Sequence, residues 1–273
     1  MRIQNAILFC AIVVLALSER SSAQAPSTRQ WQIGGVKREA ITFAPADAKE
    51  VAAPVVFAFH GHGGNSKNVA RSMNFQTHWP EAIVVYMQGL NTPGRLTDPM
   101  GKKPGWQHSA EDQQGRDLKF FDAVLSSLKS EYKVDTQRIY STGHSNGGGF
   151  TYLLWNQRGD LFAAIAPSAS AAGRRDLEFK PLPILHVAGT TDPLVKYEWQ
   201  KLMMELVKKV NDCEAKGEPW EGAGKLDGTI YPSKTGTPLV TLVHPGGHQY
   251  LPETPKLIVK FFKEHSRPEL AKQ

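Results

Sequence analysis

Short apolar runs alternate along this chain with glycine-rich polar stretches and with longer segments whose apolar residues return every three or four positions. Residues 54–59 (Pro-Val-Val-Phe-Ala-Phe) and 82–86 (Ala-Ile-Val-Val-Tyr) are uninterrupted apolar runs, the pattern of strands covered on both faces. Residues 138–142, 162–167, 183–188 and 239–243 read as further strands. Between them, Leu118, Phe121, Leu125, Leu128 and Tyr132 recur at helical spacing and predict an amphipathic helix. Helices are also expected over 148–157, over 257–264, and over 198–211 with Leu202, Leu206 and Val210 on one stripe. Residues 32–43 read as an opening hairpin that turns at Gly34-Gly35. Strands alternating with helices in this way predict an α/β fold with a mostly parallel central sheet flanked by helices. Residues 87–114, rich in Gly, Pro and Asp, break the pattern, and irregular loops of that length are usually functional.

The N-terminus follows a different logic. Arg2 precedes an apolar run over residues 7–17, and Ala23-Gln24-Ala25 offers a small-x-small cleavage pattern. This is the layout of a secretory signal peptide, and the run is too short to span a bilayer comfortably. We therefore expect cleavage after Ala25, a secreted or periplasmic product and no stable membrane anchor. Residues 26–30 read as a polar leader, 31–266 as one domain and 267–273 as a tail.

Composition is that of an ordinary globular protein, with 41% hydrophobic and 21% charged residues. The net charge of +6 falls by one when Arg2, Glu19 and Arg20 leave with the signal, and the remaining basic residues form no block. No nucleic-acid partner is expected from such a distribution. Of the two cysteines, Cys10 leaves with the signal, so Cys213 has no internal partner. Its neighbours Asp212 and Glu214 would raise a thiol pKa, which favours a structural role.

Candidate chemistry centres on Gly143-His144-Ser145-Asn146-Gly147, a G-x-S-x-G pattern between a predicted strand and a predicted helix. That context defines a nucleophile elbow: a strained turn lifts the serine hydroxyl out of the sheet, and the following helix N-terminus favours developing negative charge. A serine needs a base, and in α/β-hydrolases the order is Ser, then Asp or Glu, then His. Of the histidines after Ser145, His186 and His244 fall inside apolar strands and His265 near the C-terminus. His248 falls in the loop just beyond the last strand and is the candidate base. Asp192, in the loop after residues 183–188, is the candidate acid, ahead of Asp160 and Asp176, which follow no predicted strand so directly. The oxyanion of an acyl-transfer intermediate needs backbone donors. Asn146 supplies one, and the loop His60-Gly61-His62-Gly63-Gly64 the other, at His62 or its neighbour Gly63. His60 and His62 also form an H-x-H pair, but no third metal ligand lies close in sequence, so no metal and no cofactor is expected.

These motifs, with Gly105-Trp106, residues 134–140, Gly189-Thr-Thr-Asp-Pro-Leu-Val195 and Gly246-Gly-His-Gln-Tyr250, resemble secreted esterases of the polyhydroxybutyrate depolymerase and feruloyl esterase group, related to carbohydrate esterase family one. The resemblance runs over nearly the whole domain. It implies a single-domain α/β-hydrolase with Ser145, Asp192 and His248 as the triad, acting on small or oligomeric esters. Hydroxyalkanoate oligomers and feruloyl or acetyl sugar esters are both compatible with it. Two departures stand out. Many relatives pair a cysteine like Cys213 with a second one before the last strand, and residues 231–238 hold none. They also commonly have Trp-Pro after the triad histidine, where this chain has Gln249-Tyr250-Leu251-Pro252. Tyr250, His144 and Trp106 are the expected substrate-pocket residues, with a packing role the alternative for Trp106. Solid-polymer depolymerases usually add a surface-binding module, and this chain ends soon after its last helix, so small or oligomeric esters are expected ahead of solid polymer. A non-catalytic carbohydrate- or lipid-binding protein on this fold is the alternative from another class, against which the intact Ser, Asp and His set argues. A serine peptidase is the third reading; peptidases of this fold usually add a lid or propeller.

Overall fold

A computed structural model describes residues 25–173, 178–224 and 226–268. The expected signal segment up to Gln24, the competitor Asp176 and the tail beyond Pro268 lie outside the described residues. In chain order the elements are β1 (Ser27–Ile33), β2 (Val36–Phe43), β3 (Ala53–Phe59), α1 (Ser66–Met73), α2 (Phe75–His78), β4 (Ile83–Met87), β5 (Leu90–Asn91), β6 (Pro104–Gly105) and α3 (Arg116–Glu131). They continue with β7 (Val134–His144), α4 (Asn146–Arg158), β8 (Ala164–Ser168), β9 (Ile184–Gly189), α5 (Tyr197–Val210), β10 (Glu218–Pro219), β11 (Asp227–Tyr231), β12 (Leu239–His244) and α6 (Thr254–Lys263).

Ten strands form one sheet in the order β1-β2-β4-β3-β7-β8-β9-β12-β11-β10. The six from β4 to β12 run parallel, and antiparallel strands close both edges. The strands' twofold alternation builds two cores. Val55, Phe57 and Phe59 of β3 join the cluster that α3, α4 and α5 cover, while Val56 and Ala58 join the one covered by α1, α2 and α6. Burial on both faces explains why these strands read as continuous apolar runs.

Three expectations change. Residues 27–30, read as a polar leader, are the first half of β1, where backbone pairing with residues 39–42 of β2 holds them. Helix α5 does form, but its most buried face is Gln200, Met203, Met204 and Val207; of the expected stripe, Leu206 and Val210 pack half-buried against the core and Leu202 is 58% exposed. And Cys213 sits across an isolated antiparallel bridge from Ser233, its thiol pKa raised chiefly by burial, with Asp212 the smallest contributor. No helix among the described residues is long and apolar enough to cross a membrane.

Parallel strands joined by helices deliver their following loops to one edge of the sheet. The register fixes which loops meet there. Phe59 pairs with Gly143, His144 with Ser168, and Gly189 with His244. The loops that begin at His60, Ser145, Ala169, Thr190 and Pro245 therefore share one rim.

Candidate active site

Ser145 sits between β7 and α4 at φ 57°, ψ −121°, a left-handed region that a side chain occupies only when its surroundings enforce it. Here the enforcement is visible. Its N–H donates to Ser168 O at 2.9 Å, and its carbonyl accepts from Gly149 N–H at 2.9 Å. The flanking glycines are required by contact: a Cβ at Gly143 would lie 2.4 Å from Gly147, and one at Gly147 would lie 2.3 Å from Phe59 O. The hydroxyl opens into a cleft of about 230 Å³ and makes no hydrogen bond among the described residues.

Asp192, buried at the end of β9, is held from three directions. Oδ1 accepts from the N–H groups of Leu194 and Val195, both at 2.9 Å. Oδ2 accepts from His248 Nδ1–H at 2.8 Å and from Gln200 Nε2 at 3.3 Å. The chain of partners continues inward with one polarity. His186 Nε2–H donates to Gln200 Oε1 at 3.1 Å, and Tyr152 Oη–H donates to His186 Nδ1 at 2.6 Å. With the carboxylate acting as acceptor throughout, His248 carries its proton on Nδ1 and its Nε2 lone pair is free to act as base. The His248 ring packs 4.8 Å from that of His144, the residue before Ser145.

On the opposite side of Ser145 stands the loop after β3. No acceptor for the N–H of His62 or of Asn146 occurs among the described residues, whereas the N–H of Gly63 is taken by Pro104 O at 2.7 Å. Asn146 is also clamped through its side chain: Oδ1 accepts from Trp106 N–H at 2.7 Å, and Nδ2 donates to Trp106 O at 3.2 Å. His62 Nε2 pairs with Asp98 Oδ2 at 3.0 Å, and the Asp98 carboxylate is itself tied to the N–H groups of Lys102 and Lys103. His60 has both nitrogens engaged, with Gly61 O and Gly89 N–H, and burial pushes its pKa down to about 4. Among the described residues no three His, Cys, Asp or Glu side chains are grouped to hold a metal.

The pocket residues need correction. Trp106 is 0% exposed; it stacks on Phe150, and its indole N–H donates to His60 O at 2.8 Å. A buried indole must satisfy its N–H, and here that tethers the oxyanion loop from behind. Tyr250 packs edge-on to His144, with its hydroxyl buried, and His144 itself is pushed down to about pKa 3 by burial and, secondarily, by His248. None of the three lines the cleft, whose walls include His62, Arg95, Leu96, Leu194 and Trp199. Sequence reasoning also passes over Gln200 and Asp98. Gln200 carries a signal in retrospect: it occupies the first position of the buried i, i+3, i+4, i+7 series on α5, where a polar residue demands a partner. Asp98 lies in the flagged irregular loop without any local pattern.

Sheet order, rim loops and strained serine together define the class: the chain is an α/β-hydrolase. Solved structures of the same fold include an acetyl xylan esterase from Aspergillus awamori (TM-score 0.66, 12% identity, 87% of this chain and 99% of that one) and a ferulic acid esterase (TM-score 0.62, 15% identity, 89% and 99%). In sequence, a probable feruloyl esterase C of Aspergillus clavatus is 26% identical over 201 residues, covering 72% of this chain and 70% of that protein. A bifunctional acetylxylan esterase/xylanase of Neocallimastix patriciarum is 29% identical over 176 residues, 60% of this chain but 23% of that larger protein. Residues 97–177 match the prolyl oligopeptidase family. In sequence the chain is thus similar to feruloyl and acetylxylan esterases, and it shares the fold of the solved esterases.

Proposed function

We propose that the protein is a serine carboxylic-ester hydrolase that works through an acyl-enzyme. The observation that carries this reading is the strained Ser145 elbow facing a cleft, with the His248–Asp192 pair formed between the rim loops that follow β12 and β9. His248 Nε2 takes the Ser145 proton as Oγ attacks the ester carbonyl, and returns it to the leaving alcohol. The N–H groups of His62 and Asn146 receive the oxyanion. Asp192 holds the imidazole tautomer and stabilises the imidazolium, while Gln200 and the N–H groups of Leu194 and Val195 hold Asp192. Water then repeats the sequence on the acyl-enzyme. Apo hydrogen bonds at such sites tighten when substrate arrives, in keeping with the free Ser145 hydroxyl.

The relatives support plant cell-wall esters as substrates, and the N-terminal pattern supports export. The match to the prolyl oligopeptidase family covers Ser145 but neither Asp192 nor His248, so it adds a nucleophile and no peptide selectivity. Ser145→Ala should abolish both turnover of p-nitrophenyl acetate and labelling by a fluorophosphonate. Turnover surviving in that variant would refute the mechanism, and absence of label on the unmodified protein would favour a binding protein. A panel of methyl ferulate, acetylated xylan and hydroxybutyrate oligomers then assigns the ester.

A further inference from the structure

Helix α5 has two apolar faces. One, through Met203, Met204 and Val207, packs on the sheet. The other presents Trp199 and Leu202 at i and i+3, 41% and 58% exposed, while Leu206 at i+7 is half-buried and packs at the edge of the same core. Exposed apolar side chains grouped in this way cost hydration free energy, and contiguous patches of them mark binding sites.

The outward face has a definite position. It forms one wall of a second cavity of about 460 Å³, whose other wall is Ala171 to Gly173. The cleft at Ser145 shares Ala171, Ala172, Gly173 and Trp199 with that cavity. The two therefore adjoin, with Trp199 between them. Leu96 and Leu194, also exposed, add apolar surface at the catalytic end. No charged side chain lines the second cavity among the described residues.

We propose that the two cavities act as one trough past Trp199 and that its outer part is a second substrate subsite, which takes the apolar end of an elongated ester while the scissile carbonyl lies at Ser145. The occupant is the substrate itself because the cavity adjoins the catalytic cleft and shares four lining residues with it, and its described lining offers contacts to an alkyl or aryl moiety. The inference rests on the esterase reading and deepens it. Hydrophobic pockets discriminate by roughly tenfold or more per methylene placed in contact. The enzyme should therefore prefer esters long enough to cross Trp199.

Two substrate series test this: p-nitrophenyl acetate to octanoate, which lengthens the acyl side, and ethyl to octyl acetate, which lengthens the alcohol side. In the unmodified protein kcat/KM should rise with length in one series. Leu202→Glu puts a charge into the second cavity at an exposed position. It should cut kcat/KM for the longest favoured ester roughly tenfold and leave the shortest within about twofold. Leu202→Lys, with the opposite charge at the same exposed position, should repeat the pattern. If kcat/KM is independent of length in both series while short esters still turn over, the subsite is overturned and the esterase reading stands. If no ester turns over, both fail. If Leu202→Glu leaves length preference intact but converts a dimer to a monomer in sedimentation, a second copy covers the trough and the proposal is overturned.

Discussion

Gly105 is glycine because of its neighbours. Its φ is not positive, so its backbone accepts an L side chain. A Cβ there would lie 2.6 Å from His62 Nδ1, 3.1 Å from His62 Cε1 and 3.0 Å from Asn146 Oδ1. These belong to the two residues whose free N–H groups we assign to the oxyanion hole. Neither can yield without consequence: the His62 ring is pinned by Asp98 at 3.0 Å, and Asn146 Oδ1 by Trp106 N–H at 2.7 Å. Relief of the overlap requires the ring to shift by roughly 0.8 Å and the amide by roughly 0.4 Å, the gaps to ordinary van der Waals contact. Complete loss of one oxyanion donor costs about 2.7–4 kcal/mol in the transition state, and misalignment costs a part of that. Gly105→Ala should therefore lower kcat by about 10- to 100-fold. KM should stay within about threefold, because the donors act on charge that develops only in the transition state. Stability should change little: Ala lowers unfolded-state entropy, a gain of about 0.4–1 kcal/mol that offsets the local clash. Steady-state kinetics on p-nitrophenyl acetate, beside a thermal melt, give all three quantities. A folded Gly105→Ala variant with kcat within threefold of the unmodified protein would refute the assignment of the oxyanion donors to His62 and Asn146.

Arg38 and Asp117 form a fully buried ion pair at 2.7 Å, and Asp117 Oδ2 also accepts from Gln107 N–H. Asp117→Asn should cost about 3 kcal/mol by stranding the guanidinium, while the double change Arg38→Met with Asp117→Leu should recover most of it; urea unfolding decides, and a single-variant cost below about 1 kcal/mol contradicts this. Ser233 faces Cys213 across an antiparallel bridge, so Ser233→Cys should close a disulfide worth about 3 kcal/mol, read as a rise in Tm that a reductant reverses. Burial lowers the pKa of His60 and His186 to about 4 and of His144 to about 3. Each stays neutral in the folded chain while the unfolded chain protonates near its ordinary 6.5. Stability should therefore be full above pH 6.5 and fall as pH drops toward 4, by up to about 1.4 kcal/mol per pH unit for each histidine. Urea midpoints that stay flat from pH 6.5 to 5 would rule this out.

The parallel core strands were legible in the chain because burial on both faces leaves them no polar positions. The sites of Ser145, Asp192 and His248 were legible for a related reason: each follows a strand, and parallel βα units carry such loops to one rim. Local pattern also marks residues 87–114 as a functional loop, though not which of its residues act. Three things required the tertiary structure. Helix α5 offers two apolar series at helical spacing, and hydropathy favours Leu202, Leu206 and Val210. The sheet buries the face with Gln200 most deeply and takes Leu206 and Val210 only at its edge, because Asp192 and His186 satisfy that amide from outside the helix. Trp106 is apolar and adjacent to the site on any reading of the sequence. Only the carbonyl of His60, brought there by β3, decides that its indole faces inward. The short strands β5, β6, β10 and β11 carry weak or mixed burial patterns, and their partners across the sheet define them more than their own residues do. Periodicity reports how often a chain meets its core. Which face meets it, and which is left open to a ligand, is set by long-range partners that no local window contains.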